Sequence, residues 1–167
     1  MKKTIKSIIG VTLLEIMLVL AVASLIIIMS IRYYQSAQTS AAVQDLQNAL
    51  ASMIATADNI GLSSGTYTGL TQQTLVANLP ASMISSASAG TIKSPWGDIG
   101  LVIGVTGTPP GSAYTATYTM PGPTPAAACF SLVGFVNNIA KQHLSTPAST
   151  SNCPGSFSYT YSLSATS

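Results

Sequence analysis

The sequence predicts an α+β fold in which one long N-terminal helix packs on an antiparallel sheet. Three patterns lead there. Residues 11–31 form an apolar or small-residue run interrupted by one charge, Glu15. Residues 32–59 contain neither Pro nor Gly and repeat apolar side chains at helical spacing. Farther along, residues 114–120 and 157–163 alternate bulky apolar or small side chains with Ser and Thr, the period of a strand with one buried face.

At the N-terminus, residues 1–10 (MKKTIKSIIG) carry Lys2, Lys3 and Lys6 and no acid, so this end is expected to stay in the cytoplasm while the rest is exported. The apolar run that follows is about twenty residues, roughly 30 Å of helix, enough for one passage of a hydrocarbon core. An ordinary secretory signal is cut after its apolar stretch, whereas here the Gly10-Val11 junction precedes it. A cut after Gly10 removes the basic leader and places a new Val11 amine beside Thr12, Leu13, Leu14 and Glu15. A carboxylate in a span costs about 2.5–3.5 kcal/mol near the middle and less near an end, and it is expected to have a partner. The Val11 amine, of the same chain or of a neighbour, supplies that partner and makes Glu15 a register device, since an unpaired charge in an apolar bundle is costly.

Beyond the span, Val43, Leu46, Leu50, Met53, Ile54 and Ala57 line one helical face, and the absence of a breaker at Arg32 favours one long helix over two. Gly61 is the expected stop. Residues 62–94 read as a connection with one short helix at about 72–78. Strands are expected at 99–105, 114–120 and 157–163, the first two joined as a hairpin through Gly107-Thr108-Pro109-Pro110-Gly111. Between the last two, residues 126–143 read as a helix with Cys129, Leu132, Val133, Val136 and Ala140 on one side; Pro121, Pro123 and Pro125 block an earlier start. The chain therefore divides into a leader (1–10), a long helix (11–60) whose first half (11–31) spans the membrane, and an exported globular domain (61–167).

Composition suits assembly better than catalysis. The 167 residues are 47 % hydrophobic and only 6 % charged. Without the leader, Arg32, Lys93 and Lys141 face Glu15, Asp45, Asp58 and Asp98, a formal charge of −1, so the whole-chain basicity is no footprint for nucleic acid. Cys129 and Cys153 are the only cysteines. In an oxidising compartment they are most simply a disulfide, and with only His143 nearby they fall short of a zinc set. His143 reads as a surface residue ending a helix, Asp45 and Asp58 as solvated acids, and Trp96 as an aromatic packing residue beside a turn. No nucleophile–base pair, phosphate-binding glycine loop or metal cluster is expected, hence no enzyme, cofactor or metal.

The Lys-rich leader, Gly10, Val11-Thr12-Leu13-Leu14-Glu15 and an unbroken apolar helix together resemble the class III signal segment of type IV prepilins and of their relatives, the type II secretion pseudopilins. The resemblance covers the first thirty or so residues. It implies the type IV pilin fold, cleavage after Gly10 by the prepilin peptidase, N-methylation of Val11 by the same enzyme, and a register role for Glu15, beside Thr12, through the terminal amine of an adjacent subunit. It also implies a homopolymeric pilus filament built with an inner-membrane platform and an ATPase from subunits stored in the bacterial inner membrane. Segment 129–153 would be the disulfide-bounded variable region on the filament surface. Ala128-Cys129-Phe130-Ser131-Leu132-Val133 is similar to the type IVb branch, although the ten-residue leader is short for that branch. Two further departures are Val11, where the family more often has Phe or Met, and Arg32, near where many pilins carry a proline.

Two alternatives stand beside this expectation. Leu13-Leu14-Glu15-Ile16-Met17 and Pro95-Trp96-Gly97-Asp98 resemble the major pseudopilin, but that relative typically binds calcium through C-terminal acids, and no Asp or Glu follows Asp98 here. A membrane-anchored periplasmic binding module would explain the span, the domain and a disulfide, and would leave Glu15 and the junction before the span without a purpose.

Overall fold

A computed structural model describes residues 13–86 and 89–163. Its elements follow the order α1 (Leu13–Ser64), α2 (Gln72–Val76), a 3₁₀ turn (Ala81–Met83), β1 (Ile84–Ser86), β2 (Thr91–Ile92), β3 (Ile99–Thr106), β4 (Ala113–Thr119), α3 (Ala126–Ile139), β5 (Leu144–Thr146) and β6 (Ser156–Ser162). The chain forms two compact units whose division falls between Thr39 and Ser40, inside α1.

α1 runs unbroken through Arg32, as the missing breaker predicts. In the second unit it buries Ala42, Leu46, Ala49, Leu50, Met53, Ile54, Ala57 and Gly61, while Val43 is half-buried. Those steps of three and four keep the buried set on one face. The face joins a single core with Ile92, Ile99, Leu101, Tyr118 and Phe157 from the sheet and Cys129, Leu132, Val133 and Val136 from α3.

Gly61 does not end the helix. α1 continues to Ser64, and the left-handed residue that stops it is Gly65, at φ 70°. Gly61 is instead a contact glycine: a Cβ there would lie 2.6 Å from Tyr67 Cε1 and 2.8 Å from Leu163 Cδ2. Tyr67 is fully buried and cannot yield. Gly134, exposed inside α3, has nothing within 4 Å of a Cβ position. The two glycines should therefore respond oppositely to alanine. Gly61→Ala is expected to lose about 1–3 kcal/mol through overpacking, and Gly134→Ala to gain up to about 1 kcal/mol of helix propensity. Denaturant unfolding of the detergent-solubilised chain checks both signs.

The sheet is antiparallel throughout, with strand order β1-β2-β3-β4-β6-β5. β3 and β4 pair over seven residues, from Gly100↔Thr119 to Thr106↔Ala113, which bears out the hairpin across 107–111. β4 pairs with β6 from Ala113↔Ser162 to Thr119↔Ser156. Tyr114, Ala116 and Tyr118 of β4 and Phe157, Tyr159 and Tyr161 of β6 point into the core, and Thr115, Thr117, Ser158 and Thr160 lie on the other face. Stacked cross-strand pairs fix the register: Tyr114–Tyr161 at 5.4 Å and Tyr118–Phe157 at 4.9 Å between ring centroids.

Several shorter features depart from expectation. β1 and β2 lie within the stretch read as connection, and β5 directly follows the stretch read as helix, where no strand was expected. α3 ends at Ile139, four residues early, with the Ala140 N–H bonded to the Val136 carbonyl. The short helix α2 does form, closed by reciprocal bonds between Thr71 and Thr74. Trp96 packs half-buried on the core beside a tight turn in which Ser94 and Gly97 exchange backbone bonds.

Candidate functional site

The apolar segment is the first candidate. Residues 13–31 are exposed but for half-buried Ala23, and an 18-residue window reaches a mean hydropathy of 2.7. A helix apolar on every side belongs in lipid or among other apolar helices. Its length, about 1.5 Å per residue, makes it long and apolar enough to cross a membrane. Three hydroxyls within and after it are satisfied inside the helix: Ser24 donates to the Ala21 carbonyl (2.7 Å), Ser30 to Ile26 (2.8 Å) and Thr39 to Gln35 (2.9 Å). That is the arrangement a medium without hydrogen-bond partners demands.

Glu15 lies in the first turn of α1, the only acid there, where the helix dipole favours a negative charge. Gly10, Val11 and Thr12, to which cleavage, methylation and part of the register role were assigned, lie outside the described residues. At the other end of the apolar run stand Arg32, Tyr33 and Tyr34, all exposed, the tyrosines at 80 % and 63 %. A cation followed by two amphipathic rings is the composition of a membrane–water boundary. This signal is present in the sequence and stands where the apolar run ends.

The second candidate is the segment bounded by cysteines. Cys129, in the first turn of α3, and Cys153, in the turn before β6, are joined by a disulfide, with Cα atoms 5.8 Å apart and 24 residues of separation. Cys129 is fully buried. Within the loop, Asn137 of α3 clamps the irregular stretch between β5 and β6 by accepting from the Ala148 N–H (2.8 Å) and donating to the Ala148 carbonyl (2.9 Å). One side chain thus satisfies both groups of a buried residue.

A third grouping was not anticipated from the sequence. His143 is not a simple surface cation at a helix end: it follows α3 in a turn, its ring stacks on Tyr161 at 5.2 Å, and its Nδ1 is buried without a partner. Asp58 is half-buried rather than fully solvated, and it faces the same cluster with Tyr67. Its position, four after Ile54 and three before Gly61, puts it at the margin of the buried helix face, which the helical spacing could have revealed. Asp98 is likewise engaged, accepting from Ser85 Oγ at 2.5 Å. Among the described residues no three of His, Cys, Asp and Glu gather in a way that could hold a metal ion.

Burial raises the tyrosine hydroxyls of this core. The Tyr67 hydroxyl is pushed up to about 12, first by desolvation and then by the Asp58 charge. Tyr114, Tyr118 and Tyr159 rise mainly through desolvation, and Tyr161 through desolvation followed by hydrogen bonding to Asp58. The folded chain therefore holds protons that the unfolded chain releases from about pH 10 upward. Stability is complete below that pH and falls as pH rises toward about 12 and beyond, each retained proton costing about 1.4 kcal/mol per pH unit. Alkaline titration should show a cooperative rise in tyrosinate absorbance for these residues, coincident with loss of circular dichroism; ionisation with the fold intact would contradict it.

No family model, curated protein or solved structure matches the chain.

Proposed function

We propose that this chain is the structural subunit of a type IV pilus, a pilin of the type IVb-like kind, which polymerises through its N-terminal helix after removal of residues 1–10. The observation that carries the reading is the apolar surface of residues 13–31 with a single carboxylate in its first turn. A simple anchor has no use for that carboxylate, whereas a helix that leaves lipid for a bundle of copies does. Lipid tails are as apolar as leucine, so moving the span between the two surroundings is nearly balanced. The paired charge then decides which axial position is accepted. Glu15 and the Val11 amine of an adjacent subunit form that pair, and Thr12 lies beside it. The span stores subunits in the inner membrane, the domain faces the periplasm until assembly, and the filament is extracellular.

The partners of this function are other copies of the chain, the prepilin peptidase and an inner-membrane platform with its ATPase. The cysteine-bounded segment 129–153 would face the filament exterior. Intact-mass and N-terminal peptide analysis of material sheared from the cell surface tests the proposal. A chain beginning at N-methylated Val11 is expected in that fraction. Processed chain found only in the membrane would favour the pseudopilin, and an uncut leader would overturn both.

A further inference from the structure

β3 is the longest strand of the sheet, and only one of its edges is fully paired. β4 meets it over residues 100–106, whereas β2 meets only Ile99 and Gly100 on the other side. Backbone groups alternate between the two sides of an antiparallel strand. The Leu101 N–H points to the β2 side, where it donates to the Gly90 carbonyl at 3.0 Å. Ile103 and Val105 therefore direct their N–H and C=O groups to that side, and among the described residues no strand or loop bonds them there. The cover ends at Gly90, whose Cβ position would lie 2.6 Å from Gln72 Cγ of α2 and 3.1 Å from the Leu101 carbonyl oxygen. Past it, Val102, Gly104, Val105 and Thr106 are exposed.

Open edges in native sheets are blunted by shortness, charge, proline or a bulge. β1 and β5 follow that rule, each three residues long with an irregular register. β3 does not: it contains no charge and no proline, and its pairing with β4 is unshifted throughout. The groups on offer repeat every second residue, about 6.6 Å, a spacing that an extended peptide backbone matches. β3, β4 and β6 carry no charged residue, so a charge on the incoming strand gains no partner there. Gly104 has nothing within 4 Å of its Cβ position, which leaves room on the outer face for an aromatic ring across it. A second copy fits less well. The antiparallel self-pairing that uses both open residues of each copy sets Ile103 against Val105 and Gly104 against Gly104, and leaves that room empty.

We propose that the β3 edge at residues 101–106 binds an extended, uncharged peptide segment of another protein by antiparallel strand addition, with apolar side chains beside Ile103 and Val105 and an aromatic ring over Gly104. The site uses no residue of the apolar segment of α1 and operates whether or not the chain polymerises. The test follows amide resonances and hydrogen exchange of the full chain in detergent micelles. In the free chain, the amides of Ile103 and Val105 should exchange rapidly, and those of Val102 and Gly104, directed at β4, slowly. The probe is a blocked heptapeptide with valine at alternate positions and threonine, tyrosine and threonine between them. It should bind saturably and protect the Ile103 and Val105 amides. Val105→Pro removes an N–H that faces away from β4, so it spares the ladder and should weaken binding about tenfold. The same peptide N-methylated at its valines, which face Ile103 and Val105, should not bind, and it carries the test if Val105→Pro disturbs the fold. The proposal is overturned by slow exchange of Ile103 and Val105 in the free chain, which would show the edge already paired, or by protection that grows with chain concentration, which would assign it to a second copy. Absence of a saturable response, or equal binding of the N-methylated peptide, also overturns it.

Discussion

Replacing Glu15 by alanine is expected to leave membrane insertion and leader removal intact and to reduce surface filament by about two orders of magnitude or more. Removing a charge from the span eases its residence in lipid, by at most about 2.5–3.5 kcal/mol. In a bundle the opposite holds, because loss of one partner strands the terminal amine among apolar helices at a cost of about 3–5 kcal/mol. That range corresponds to roughly a hundredfold or more in the association constant per contact. Glu15→Gln, which keeps size and polarity, should fail nearly as badly as alanine if charge matters, and Glu15→Asp should retain part of the assembly. Quantifying the chain in sheared and membrane fractions separates insertion from assembly; undiminished filament from Glu15→Ala would end the register role.

Loss of the Cys129–Cys153 bridge should have the largest effect on the folded domain. Closing 24 residues restricts the unfolded chain by about 3–4 kcal/mol on the loop-entropy account. Total stabilities of about 5–15 kcal/mol leave little after such a loss. The bridge also ties α3, through fully buried Cys129, to the turn before β6. Cys129→Ala with Cys153→Ala should lower the denaturant midpoint as far as reduction does, and reductant should then have no further effect on the double variant. Equal midpoints for oxidised and reduced protein would show that packing alone holds the region.

Much of the domain was legible because its signals are local. The alternation in β4 and β6 reports one buried face, and the three- and four-residue steps from Leu46 to Ala57 report one helix face; both faces are buried as the spacing requires. Glycine was the less reliable sign, since the same residue ends helices and permits close approach. At Gly61 the approach of Tyr67 and Leu163 prevails, and at Gly65 the left-handed turn does. β1, β2 and β5 have two or three residues each, too few for a period; β2 and β5 exist because the longer β3 and β6 offer them bonds, and β1 adds to β2. The surroundings of His143 and Asp58 were hidden for another reason. Each is defined by side chains far away in the chain, brought together only when α1, α3 and β6 pack. The Gly10, Val11, Thr12 and Glu15 assignments rest on residue order alone.

The sheet's two margins have a further consequence for a chain that associates with its own copies. An open strand margin is a template on which any second chain can add, and concentration in a membrane or a filament favours that accident. Here the outermost strands, β1 and β5, are three residues long, and each meets its neighbour with an irregular register. Neither offers enough unpaired backbone to nucleate a cross-chain ribbon. In the proposed filament, self-association would thereby be directed away from indiscriminate aggregation of the β-layer and toward the apolar end of α1.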